Sequence, residues 1–263
     1  MAEKLTDWKS NERLAALLVG DSGSGKTTLA STAPGKVYFF LFDHEGLESI
    51  IDCPNAENIE YDMYYPKPHL KPVANVAMAK LQGGDPKESW TKAQSKLREL
   101  SAKCPYDTVV MDSVTSMQDS SWTFVRASHG MAAGDIPKLG GSGTMELYQS
   151  LGEQSLMFFY GFMSLPCNRI VIAHETTKED TRTGRQIPML RGTGKMFSEK
   201  LDDGRQFRHV WRTKVLQKEE GLHYAVETRG GNGFPTKTSW KWLEDIEQPN
   251  IQDMLNKKPQ VSL

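Results

Sequence analysis

Gly20-Asp21-Ser22-Gly23-Ser24-Gly25-Lys26-Thr27 decides the fold. The octet fits the phosphate-binding P-loop pattern G-x-x-x-x-G-K-[ST] at every fixed position. The apolar run Leu14 to Val19 precedes it, as a buried parallel strand would. Thr28 to Ala33 reads as the first turns of a helix. Strand, glycine-rich turn and helix together make a cradle for an anion. The glycines let successive N–H groups point at one phosphate, and the helix start adds the positive end of its dipole. Residues Gly20, Asp21, Ser22, Gly23, Ser24, Gly25, Lys26, Thr27 and Thr28 are therefore the expected nucleotide contacts. Lys26 is expected to reach the β- and γ-phosphates, and the Thr27 hydroxyl to ligate Mg²⁺.

Working outward, Val37 to Phe42 is a second apolar strand, closed by Asp43-His44-Glu45-Gly46. Tyr106 to Ser113 is a third, ending in Val109-Val110-Met111-Asp112, and Asn168 to His174 is a fourth. Helical spacing predicts helices over Glu88–Ala102, Val114 to about Ser128, and Met145–Leu165. The alternation over His209–Val215 and Leu222–Thr228 suits antiparallel strands at a sheet edge. Strands separated by helices imply βαβ units and a mostly parallel twisted sheet flanked by helices, an α/β fold. The expected organisation is a polar lead-in over 1–12, one domain over 13–243 and a weakly structured tail over 244–263.

At 263 residues the chain can bury a large core. A net charge of −1 excludes a global polycation. From Gly161 to Leu243, however, fifteen Lys and Arg face nine Asp and Glu, a local excess of six. Cys53, Cys104 and Cys167 are odd in number and far apart, which suggests neither a disulfide framework nor a zinc site. No apolar run approaches the ~18 residues of a membrane span, and Met1-Ala2-Glu3-Lys4 does not open a signal peptide. A soluble cytoplasmic protein with no membrane partner is expected.

Phosphoryl transfer needs a metal partner, a water activator and a group that senses the γ-phosphate. Asp112, closing an apolar strand, has the Walker B character of a Mg²⁺ ligand. Glu45 is the candidate to polarise the attacking water, with Asp43 as the alternative. His174 is the candidate sensor. The polar connection Thr176–Gly194 carries Lys178, Arg182, Arg185 and Arg191, with Lys195 just beyond. Such cations can neutralise the phosphates of a single strand, or one of Lys178 and Lys195 could reach a neighbouring subunit's γ-phosphate. Trp240 and Trp242 read as packing residues.

In order, these pieces resemble the RecA-like ATPases. The resemblance rests on Gly20–Thr27, Phe42-Asp43-His44-Glu45, Val109–Ser113, and Leu165–Asn168 leading into Ile170–His174. It implies a RecA-like core that hydrolyses ATP with Mg²⁺, Glu45 as catalytic base and Asp112 as the Walker B carboxylate. It also implies DNA contacts by the glycine-rich stretch 130–143 and the basic stretch 177–195. The compact chain looks most like short phage-borne proteins of the Sak type, which act in single-strand annealing and recombination. On that likeness the partners would be single-stranded DNA, further copies of the chain with nucleotide near their interface, and a single-strand binding protein. The host's cytoplasm would be the site of action. The competing function is a nucleotide-switched adaptor that recruits another protein and turns ATP over slowly.

Overall fold

The computed structural model describes residues 13–65, 87–131, 142–179, 183–184, 186–191, 205–230 and 235–259. Its frame is a sheet with the P-loop strand near the middle. The parallel strands are β1 (Ala15–Gly20), β2 (Val37–Leu41), β3 (Ile59–Met63), β4 (Thr108–Asp112), β5 (Asn168–Glu179) and β7 (His209–Lys218). Strands β6 (Gln186–Leu190), β8 (Gly221–Glu227) and β9 (Ile246–Glu247) run antiparallel to their neighbours. The order is β3-β2-β4-β5-β1-β7-β8-β9, with β6 paired to β5. The fold class is thus the expected one: a mostly parallel sheet flanked by helices, with antiparallel strands in the C-terminal part.

Strands β1, β2 and β4 are buried at every residue, because helices cover both faces. One face packs α3 (Glu88–Ala102), α4 (Val114–Ser128) and α5 (Ser142–Met163) around Trp90, Met117, Phe158 and Phe162. The other packs α1 (Lys26–Ser31), α2 (Glu45–Ile51) and α6 (Ile251–Asn256) around Leu29, Ile50, Trp211 and Met254. Alternate residues of one strand serve the two layers, Leu17 and Val19 on the first, Ala16 and Leu18 on the second. Trp240 packs in the second layer with Trp242 stacked on it, 5.3 Å between ring centroids. Among the described residues no helix is long and apolar enough to cross a membrane.

Two stretches differ from the reading of the sequence. The tail expected to be weakly structured contributes β9 to the sheet and α6 to the core. Asn250 caps α6 by accepting from the Asp253 N–H at 3.1 Å, and Ile251 and Met254 are buried. The Ile251 N–H also donates to Thr32 Oγ1 at 2.8 Å, which ties the segment to the end of α1. A six-residue helix holds too few apolar positions to show a period. The polar connection after His174, in turn, is a β-hairpin. Strand β5 runs on to Glu179 and pairs with β6 from Glu175↔Leu190 to Glu179↔Gln186. Its outer half is exposed, so it lacks the apolar content that marks a buried strand.

One core group makes stability depend on pH. His209 is 1% exposed and lies 4.2 Å from Trp240, centroid to centroid. Its Nδ1 meets Thr238 Oγ1 at 2.8 Å. Burial pushes its pKa down to about 3, with Arg208 and Lys237 adding to the fall. The folded chain keeps this ring neutral, whereas an unfolded chain protonates it below about 6.5. Stability therefore declines as the pH drops from about 6.5 towards 3, by about 1.5–2 kcal/mol between 6.5 and 5. Denaturant titrations at pH 7 and pH 5 should show that loss in the wild type and a smaller one in His209→Gln. Equal losses in the two proteins would contradict the assignment.

Candidate active site

The site is built at the C-terminal ends of β1, β2 and β4, where open α/β sheets place their ligand crevice, and beside His174 midway along β5. One cleft is lined by Ser22, Gly23, Gly25, Lys26, Thr27, Thr28, Asp43, Glu45, Gly46, Ser49, Asp112 and His174. The sheet register explains the convergence. Gly20 pairs with His174, and Leu41 with Asp112.

The P-loop turns on glycine. Gly25, with φ +85°, starts α1, and Gly23 has φ +74°, both in the left-handed region that side chains resist. Gly20 is required by contact as well. A Cβ there would stand 2.6 Å from Thr213 Oγ1 and 2.7 Å from Ser24 Oγ. These two hydroxyls hydrogen-bond each other at 2.6 Å, Ser24 Oγ also reaches the Asp21 carbonyl at 2.7 Å, and Thr213 Oγ1 donates to the Val19 carbonyl at 3.3 Å. Strand β7 thus braces the loop from beneath. Beside this brace, Arg212 makes a two-pronged ion pair with Glu175, donating from Nε at 2.8 Å and from its terminal nitrogen. Neither Thr213 nor the Arg212–Glu175 pair is marked by any local sequence pattern.

Lys26 is 5% exposed and donates from Nζ to the carbonyls of Gly20 at 3.0 Å and Asp21 at 2.6 Å. Burial lowers its pKa, and Asp112, Asp21, Glu175 and Asp43 oppose the fall. The Thr27 hydroxyl donates to Asp112 Oδ2 at 2.7 Å. Asp112 is 3% exposed, and burial pushes its carboxyl up to about 7. Asp43 adds to that rise, while the Thr27 hydrogen bond and Lys26 pull it back. A buried carboxylate paired with one hydroxyl and raised towards neutrality is a fitting partial ligand set for Mg²⁺, which prefers one or two carboxylates plus phosphate oxygens and water. Among the described residues no group of three or more His, Cys, Asp and Glu could hold a metal by itself. Thr27 and Asp112 are therefore the residues that would hold one.

The two candidate water activators differ in what restrains them. Asp43 is tied on both oxygens: Ser116 Oγ donates to Oδ2 at 2.9 Å and the Gly46 N–H to Oδ1 at 3.2 Å. Glu45 opens α2 and is exposed, and among the described residues no hydrogen bond holds its carboxylate. The chain bends between them, so their side chains are not related by strand alternation. Gly46 lets α2 approach: a Cβ there would lie 3.2 Å from Asp112 Oδ2 and 2.9 Å from Leu41 Cδ2.

His174 is half-buried, and burial lowers its pKa, with Lys26 and Arg191 adding to the fall against Asp43 and Glu45. Its carbonyl accepts the Arg191 N–H at 2.8 Å, and the Arg191 carbonyl accepts the Thr115 hydroxyl at 2.9 Å. The β5–β6 hairpin is thereby closed directly at the cleft. Of the basic residues singled out in the sequence, Lys178 lies on exposed β5 and Arg191 just past β6. Arg182, Arg185 and Lys195 lie outside the described residues, as do residues 132–141 of the glycine-rich stretch.

The family described as "AAA domain" matches residues 12–239. No curated protein matches the chain. Among solved structures, a KaiC-like protein from the hyperthermophilic archaeon Pyrococcus horikoshii OT3 is similar at 13% identity, with a TM-score of 0.35. That likeness covers 86% of this chain and 82% of the archaeal one.

Proposed function

The chain belongs to the AAA domain family, and from that premise we propose that it hydrolyses ATP to ADP and phosphate and acts on single-stranded DNA. The observation that carries the first half is the 2.7 Å Thr27–Asp112 pair at the mouth of a P-loop whose cleft also holds Glu45 and His174. The loop amides and Lys26 bind and orient the triphosphate. Thr27 and Asp112 would hold Mg²⁺, which would supply charge neutralisation on the phosphates. Glu45, which no hydrogen bond holds among the described residues, orients a water and takes its proton. Asp43 stays bound to α4 and Gly46, and holds the cleft's shape. His174, whose pKa burial lowers, hydrogen-bonds the γ-phosphate.

The second half is supported by the likeness to Sak-type recombination proteins and by the hairpin's attachment. Hydrolysis felt at His174 passes through one backbone hydrogen bond to Arg191, at the base of the basic hairpin. Oligo-dT should therefore bind more tightly with a slowly hydrolysed ATP analogue than without it. Binding should weaken with salt at a log–log slope of about −0.7 per phosphate neutralised. Replacing Lys178, Arg182, Arg185 and Arg191 together by Ala should flatten that slope and weaken binding at least about tenfold, since a multi-cation site loses most of its affinity with its phosphate contacts. Equal binding by mutant and wild type would place the DNA elsewhere. Absence of binding by the wild type at low salt would favour the nucleotide-switched adaptor.

A further inference from the structure

A second cavity, of about 360 Å³, opens beside the P-loop and shares Gly23, Gly25, Thr28 and Ser49 with the phosphate cleft. That volume is within the range of small-molecule sites. Its remaining walls include Leu29, Tyr224 and Pro249. Tyr224 comes from β8 and leaves 45% of its surface exposed, which core packing does not explain. Its ring rests on the P-loop, with Cδ1 3.2 Å from where a Gly25 Cβ would stand. Pro249 comes from the C-terminal segment. It sits between β9 and α6, and the hydrogen bond from Ile251 to Thr32 fixes it against the end of α1.

We propose that this cavity seats the base of the nucleoside triphosphate, stacked on Tyr224 and faced by Pro249, and that it accepts adenine and guanine alike. The inference rests on the reading of the P-loop as a triphosphate site and adds the base to it. The aromatic face supplies stacking, which is tolerant of base identity because every base has a π-face. The side-chain polar groups of the wall are the Thr28, Ser49 and Tyr224 hydroxyls. A hydroxyl both donates and accepts, so it satisfies the amino group of adenine or the carbonyl of guanine. No carboxylate or amide side chain among the lining residues fixes one pattern of donors and acceptors. The C-terminal segment, by contributing Pro249, completes a wall of the site.

Calorimetric titration of ATP, GTP and inorganic tripolyphosphate into the wild type, Tyr224→Ala and Tyr224→Phe tests this, with thermal melting to check each fold. Wild-type affinities for ATP and GTP should lie within about tenfold of each other. Tyr224→Ala should weaken both by roughly five- to a hundredfold, the equivalent of about 1–3 kcal/mol of stacking, and change tripolyphosphate affinity less than about twofold. Tyr224→Phe should retain wild-type affinity. Unchanged ATP affinity in Tyr224→Ala would put the base elsewhere, and equal losses for ATP and tripolyphosphate would make Tyr224 a prop of the P-loop instead. A preference for ATP over GTP beyond a hundredfold would overturn the tolerance. A wild type that binds neither ATP nor tripolyphosphate would overturn the triphosphate reading itself, and the base site with it.

Discussion

Replacing Lys26 by Ala is expected to lower ATP affinity at least about a hundredfold and to leave the fold intact. The loss follows from charge-assisted hydrogen bonds to phosphate, each contributing about 1.5–3 kcal/mol. Two such bonds already exceed a hundredfold. The fold should survive because, among the described residues, Lys26 Nζ bonds only to the loop's own carbonyls of Gly20 and Asp21. The brace that holds the loop, Ser24 to Thr213 to Val19, does not involve Lys26. Removing a cation from a buried position also removes its desolvation cost, which offsets the two lost hydrogen bonds. Calorimetric titration with ATP and thermal melting of the same samples check both parts. ATP affinity at the wild-type level in a folded Lys26→Ala would remove the P-loop from the account.

Glu45→Gln is expected to separate binding from turnover. The amide keeps the shape of the side chain and loses only its capacity to take a proton. Removing a general base costs about 10²–10⁴ in rate. Affinity should change little, because Glu45 is exposed at the start of α2 and makes no hydrogen bond to the P-loop among the described residues. Asp43→Asn should behave differently. Both Asp43 oxygens are bound, one by the Ser116 hydroxyl and one by the Gly46 N–H. That substitution disturbs the junction of α2 and α4, so affinity and stability should fall along with rate.

The parts of this site that the sequence made legible are those carried by local pattern. Strands β1, β2 and β4 are buried along their whole length and mostly apolar, so their ends, and with them Gly20, Asp43 and Asp112, could be placed. Helices α3 and α4 lie where their spacing put them, Glu88–Ala102 and Val114–Ser128. What could not be read depends on tertiary contact. Thr213 meets Ser24 across 189 positions, and nothing near either residue marks the pair. The outer half of β5, from Thr176 to Glu179, is polar because it leaves the core, so it resembles a loop. Strand β3 is a solvent-facing edge strand with a mixed pattern, and α6 is too short to show a period. Glu45 was expected at a strand end and instead opens a helix, because Gly46 lets the chain turn against Asp112.

Phosphate release, measured beside ATP affinity for the wild type and Glu45→Gln in one Mg²⁺-containing buffer, tests the central claim most directly. The wild type should release phosphate steadily, the variant at a rate lower by about 10²–10⁴, with ATP affinities within about threefold of each other. Release by Glu45→Gln at the wild-type rate, with ATP bound equally well, would contradict that claim.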